Sequence, residues 1–146
     1  MPDTARNVRE VFDQFWRCIA EERFVDAQAL VADDFELHLP SMATLDVHDA
    51  IGAARMWRGA FANFGDPSSR IVKMMVEAPR AIALVLEEEL LHTGRFMNPG
   101  GPALEPADPP RRVFVKSTHV LLLTDDGLIL NWDISFDPGA LTVQMQ

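Results

Sequence analysis

The chain has 146 residues, 48% of them hydrophobic and 24% charged, enough apolar material for the core of one domain spanning residues 1–146. It is too apolar to be a disordered segment, and no apolar run approaches the ~20 residues of a membrane span. Thirteen Lys and Arg stand against 22 Asp and Glu, a net charge of −9, which argues against nucleic acid and anionic membrane surfaces as partners, because both call for a basic face.

In chain order, Thr4 is placed to cap a first helix running to about Glu22, with Val8, Val11, Phe12, Phe15 and Ile19 in one apolar stripe and Trp16 on its flank. A second, short helix is expected over Phe24 to Ala32, ended by Asp33-Asp34. Phe35 to Leu39 reads as a strand stopped by Pro40. A third helix follows from about Val47 to Phe64, with Ile51, Ala54, Trp57 and Phe61 inward, and Gly65-Asp66-Pro67 closes it.

Strands dominate the rest. Arg70 to Ala78 and Ala81 to His92 are separated by Pro79-Arg80, and Arg111 to Thr124 and Leu128 to Phe136 by the hairpin signal Asp125-Asp126-Gly127. Between the two pairs, Met97 to Pro110 holds five of the ten prolines and reads as a stiff loop. After Asp137-Pro138-Gly139 only a short apolar tail remains, Ala140 to Met145. Helices first and an antiparallel meander afterwards is an α+β arrangement.

His119 is followed by Val120, Leu121, Leu122 and Leu123, so both faces of that strand are apolar where a sheet with one wet face would alternate. One face can pack on the helices, and the other is expected to pack on a second subunit as a homodimer; the alternative is that the C-terminal tail covers it. Met1-Pro2-Asp3-Thr4 lacks the basic flank and apolar stretch of a secretory signal. The single Cys18 cannot form an intramolecular disulfide, and a cytoplasmic location is expected.

The element order, together with particular residues, resembles a known family. His92-Thr93-Gly94-Arg95-Phe96, a Pro-rich loop, Arg112-Val113 and Ser117-Thr118-His119-Val120 are similar to the SnoaL-like (polyketide cyclase-like) branch of the nuclear transport factor 2-like superfamily. So are Asp126-Gly127-Leu128-Ile129, Asn131-Trp132-Asp133 and Asp137-Pro138-Gly139-Ala140-Leu141, and Asp49-Ala50-Ile51 at the start of the third helix. The resemblance covers essentially the whole chain. It implies three N-terminal helices packed on a curved, mainly antiparallel sheet, forming a cone around a pocket.

In the polyketide cyclases of this branch an Asp at the end of the last hairpin strand is the acid/base of an aldol closure, with a His on the preceding strand beside it. The same spacing here falls on Asp133 and His119, and counting outward from the turn puts the two opposite each other. Trp132 stands where those cyclases often carry Arg. The resemblance thus implies proton transfer on a small hydrophobic carbonyl compound, a cyclase, isomerase or lyase reaction without metal or redox cofactor. A binding or accessory protein on the same fold is the alternative.

Trp16 and Trp57 are candidates for the pocket's aromatic wall, and His38, His92 and Trp132 for further ligand contacts. Glu87-Glu88-Glu89 reads as a solvated strand end, since alternation splits the three between two faces. With no tyrosine in the chain and Leu39 before Pro40, the Asp and Tyr constellation of ketosteroid isomerases is absent. No Arg-x-Asp precedes the Pro-rich loop, so the limonene-epoxide-hydrolase pattern is absent as well.

Overall fold

In the computed structural model, which describes residues 7–40, 42–65, 70–97 and 101–146, the first helix, α1 (Val8–Ala20), starts from Asn7. The Asn7 side chain accepts from the Glu10 amide at 2.9 Å and satisfies one of the unpaired first-turn donors. Asn7 therefore takes the capping role expected of Thr4, which lies outside the described residues, as do residues 66–67 of the expected helix stop and 98–100 of the Pro-rich loop. Val8, Val11, Phe12 and Ile19 are buried, as their helical spacing requires.

Helix α2 (Phe24–Gln28) is shorter than its sequence pattern suggests. Leu30 gives its carbonyl to the Ile129 amide and Val31 pairs with Ile129, so the apolar residues beyond Gln28 go into a strand. That strand, β1 (Val31–His38), begins earlier than expected. Helix α3 (Val47–Ala60) is capped by Asp46, whose side chain accepts from the Asp49 amide. It ends before Phe61, which is extended and bridges to His92.

Four strands follow, β2 (Arg70–Ala78), β3 (Ala81–His92), β4 (Arg111–Leu123) and β5 (Ile129–Ser135). They join β1 in one sheet of order β1-β5-β4-β3-β2, antiparallel except for the parallel β1–β5 pair. Gly127, at φ +84, provides the left-handed residue of the β4–β5 turn. The inner face carries Leu84, Leu86 and Leu90 of β3 and Val113 and Leu121 of β4, which join α1 and α3 residues in the core. Among the described residues no helix is long and apolar enough to cross a membrane.

The C-terminal tail is a helix, α4 (Pro138–Gln144), capped by Asp137. Its Gln144 amide accepts from the Phe114 N–H at 2.7 Å and donates to the Phe114 carbonyl at 2.9 Å, standing in for a neighbouring strand beside β4. The expected alternative, a tail covering the outer face of the sheet, does not occur in full. Val76, Val120 and Leu122 remain 48%, 38% and 41% exposed there.

The end of β3 presses on the end of α3. The amides of Thr93 and Gly94 both donate to the Ala60 carbonyl, and a Cβ at Gly94 would stand 2.0 Å from the Gly59 carbonyl oxygen. A backbone clash of that size cannot be relieved by a rotamer change. Gly94→Ala is therefore expected to destabilise the fold by about 2–4 kcal/mol. Gly52→Ala, with nothing within 4 Å of its added Cβ, is expected to stabilise α3 by about 0.5–1 kcal/mol. Urea midpoints of the two variants against the parent check both signs.

Candidate functional site

Between the helices and the inner face of the sheet lies a cavity of about 100 Å³. Its wall is almost wholly apolar. Leu37 and Leu39 of and after β1, Ala54 and Trp57 of α3, Phe15 and Trp16 of α1, and Trp132, Ile134 and Phe136 at the C-terminal side all face it. Three side chains supply its polarity, Glu88 from β3 and Ser117 and His119 from β4. All three are buried, at 8%, 3% and 2% exposure.

The register of β4 and β5 decides which residues reach this space. Leu123 pairs with Ile129, as symmetric counting from the turn predicts, but Leu122 pairs with Asn131. Leu130 is the extra residue of a β-bulge, and every pair beyond it is advanced by one. His119 therefore faces Ile134, and Asp133 faces Val120 on the outer side of the sheet, where it is exposed. A slip of one residue exchanges the two faces of a strand. The expected His119–Asp133 pair does not form, and Asp133 does not line the cavity.

Trp132 takes the inward place instead. Its indole Nε1 donates to His119 Nδ1 at 3.0 Å, and His119 Nε2 lies 2.9 Å from Ser117 Oγ. Phe12, Trp16 and Trp132 put their rings within 5.8, 6.1 and 6.0 Å of the imidazole. This burial lowers the His119 pKa from 6.5 to about 3, so the ring is neutral at neutral pH. An indole can only donate, so Nδ1 must accept and the single ring proton sits on Nε2. Nε2–H then donates to Ser117 Oγ, and the serine keeps its own hydroxyl proton to donate elsewhere.

That direction has a chemical consequence. A histidine that already holds its proton on the nitrogen facing serine cannot act as that serine's general base. Ser117 and His119 are thus not a nucleophilic pair. The arrangement makes Ser117 a hydrogen-bond donor to the cavity, while Glu88, a diagonal neighbour on the same face across the β3–β4 register, is the one carboxylate of the lining among the described residues. Glu88 is where the sequence reading departs furthest from the structure. Alternation correctly separates it from Glu87 and Glu89, but its face is the buried one.

The other expected contacts divide. Trp16, Trp57 and Trp132 line the cavity. His38 does not, because Leu37 and Leu39 turn inward and leave it on the outer side, 3.3 Å from both Thr44 and Glu36. His92 is fully buried beneath Phe61, with ring centroids 5.6 Å apart, and lies beyond the cavity wall. The close packing of α3 on the end of β3 closes that region. Cys18 is buried and desolvation raises its thiol pKa, which leaves it inert. Among the described residues no His, Cys, Asp and Glu side chains gather into a metal-binding group.

Neutral His119 has a cost on acidification. Below pH 6.5 the unfolded chain binds a proton at this residue that the folded chain accepts only near pH 3, so stability falls as pH drops through that interval. Between about pH 6 and 4.5 the parent is expected to lose roughly 1–2 kcal/mol more than His119→Gln. Urea unfolding of both proteins across that range measures the difference, and equal slopes would remove the desolvated histidine from the account.

Comparison with known proteins gives the site its setting. No curated protein matches the chain in sequence. A candidate SnoaL-like polyketide cyclase from Jannaschia superposes with a TM-score of 0.73 at 14% identity, covering 99% of this chain and 96% of the other. AclR, a candidate hydroxylase from Streptomyces galilaeus, gives 0.72 at 15% identity over 94% and 93%. An LEH-like epoxide hydrolase from M. tuberculosis gives 0.61 at 17% identity over 93% and 86%. At these identities the likeness is one of fold. The sequence profile of the SnoaL-like domain matches residues 12–132, and the chain belongs to the SnoaL-like family.

Proposed function

We propose that the cone binds a small, mainly apolar carbonyl compound and moves a proton on it, with Glu88 as the acid/base and Ser117 as the donor to the carbonyl oxygen. The observation that carries this reading is the convergence of one carboxylate and one directed hydroxyl in an otherwise apolar cavity. Glu88 takes the proton from the carbon next to the carbonyl, and the electron pair moves toward oxygen. The Ser117 O–H meets the charge that develops there. The enolate then attacks a second carbonyl, expels a leaving group or is reprotonated from Glu88, which gives aldol closure, elimination or isomerisation in turn. This is the acid/base part first expected of Asp133, carried by a residue that faces the cavity. Trp132 and His119 act as positioning residues by holding the serine's donor direction.

Exchange of the α-hydrogens of benzylacetone in D2O, followed by NMR, tests the step directly. Glu88→Gln is expected to slow protein-dependent exchange by about 10²-fold or more, while Asp133→Asn stays within about twofold of the parent. Bound benzylacetone with no protein-dependent exchange would make the cone a binding site alone. Loss of exchange in Asp133→Asn would return the role to the outer-face carboxylate.

The uncovered outer stripe supports a second proposal, that two copies of the chain pair face to face. Val76, Ala83 and Val120 are consecutive neighbours across β2, β3 and β4, with Ala81 and Leu122 in the next row. An apolar strip of this kind matches itself under a two-fold axis. Sedimentation velocity is expected to give a dimer for the parent and a monomer for Val120→Lys/Leu122→Glu, with unchanged circular dichroism. A monomeric parent would overturn the pairing.

A further inference from the structure

A second cavity adjoins the first. It measures about 660 Å³, and Trp16 and Glu88 line both. Its floor is apolar, from Phe12, Ile71 and Leu86, but its rim carries Arg9 and Arg17 from one face of α1 and Arg70 from the start of β2. Three guanidinium groups gather around one opening of a chain whose net charge is −9. Two of them are engaged, Arg9 with Asp13 at 3.2 Å and Arg70 with Glu87 at 2.7 Å. Arg17 has no carboxylate partner among the described residues. Asp13 and Glu21 also belong to the rim, so the site is not a general anion trap. Arg17, the rim guanidinium without a carboxylate partner among the described residues, suits one singly charged group, and a guanidinium pairs best with a planar carboxylate.

We propose that the ligand of this protein is an apolar carboxylic acid, its hydrocarbon body in the cone and its carboxylate on Arg17 at the mouth of the second cavity. The inference rests on the reading of the cone as an apolar binding site and adds the anionic end. Trp16 and Glu88 then lie alongside the ligand between its two ends. This puts the Glu88 carboxylate next to the middle of the chain, away from the ligand's own negative charge. The acid is held by one guanidinium, so its binding weakens with salt, whereas binding of a neutral analogue does not.

The matched probes are hydrocinnamate and benzylacetone, which share the phenylethyl body and differ in carboxylate against methyl ketone. Their affinities are read by protein-observed NMR titration of the full chain. Hydrocinnamate is expected to bind about 10-fold tighter. The advantage should vanish in Arg17→Ala with the affinity for the ketone unchanged, and shrink between about 20 and about 300 mM salt. If Arg17 only complements the carboxyl end of α1, its removal lowers stability and leaves the ratio of the two affinities alone. Ketone binding with no preference for the acid, or an Arg17→Ala ratio equal to that of the parent, overturns the anionic end and leaves the apolar cone standing. Arg17-dependent binding of the acid without ketone binding keeps the anion contact and overturns the cone reading. Failure of both probes to bind overturns the two together.

Discussion

The single extra residue in β5 governs the chemistry of this cone. Without the bulge at Leu130, the hairpin register would set His119 opposite Asp133 and turn both into the cavity, the arrangement that the spacing of the two residues suggests. With it, the strand beyond Asn131 shows its other face. Trp132 enters the core at 2% exposure and Asp133 goes to solvent. An anionic, acceptor-only side chain is replaced beside His119 by a neutral donor, and the direction of every hydrogen bond downstream follows from that replacement.

A carboxylate beside His119 would accept the proton of Nδ1, leaving Nε2 free to receive the serine proton. That is the order used for nucleophilic hydroxyls. An indole in the same place does the reverse. It fills the Nδ1 lone pair, sends the ring proton to Nε2 and leaves the Ser117 hydroxyl as a donor on the cavity side. The aromatic shell of Phe12, Trp16 and Trp132 reinforces this by disfavouring a charged ring. Three elements of the chain, α1, β4 and β5, thus cooperate to keep one histidine neutral and in one tautomer. The positive charge that a carboxylate would have stabilised on the ring is absent, and the carboxyl group of the lining comes from Glu88 instead.

How much of this was legible in the sequence follows from which interactions are local. The helical stripe of α1 and the four long strands are written in nearest-neighbour patterns, and their positions agree with the structure within a few residues. The end of α2 is not local. Leu30 and Val31 can serve a helix or a strand, and the choice is made by Ile129, which is far away in the chain. The helix at Pro138–Gln144 carried its signal in Asp137-Pro138, a cap followed by a first-turn proline, although its few apolar residues suggested only a tail. The site shows the same division. Trp16 and Trp57 follow from helix faces, and the place of His119 from the resemblance to the cyclases. Glu88 was within reach as well, because on β3 it shares parity with Leu84, Leu86 and Leu90. The charge of its neighbours hid that parity. The position of Asp133 was not within reach, since no residue type at Leu130 announces a bulge.

The same geometry separates two kinds of polar group in an acidic protein. Carboxylates outnumber basic groups in the sequence, yet among the described residues the outward turn of Asp133 leaves Glu88 as the one that lines the cone. Guanidiniums are fewer, yet three meet at one rim, where α1 and the start of β2 come together around an apolar floor. An apolar cavity gives little orientation to a ligand, because burial of hydrocarbon surface is non-directional. Orientation must come from the few groups that are directional, and here they lie along one line of elements: Ser117 on β4, Glu88 on β3, and Arg17 beyond Trp16 on α1. A ligand that met only the first two could rotate within an apolar wall. In the proposed reading, one held at a third point as well would present the same carbon to Glu88 each time, and fixed geometry of this kind is what would make a carboxylate base effective.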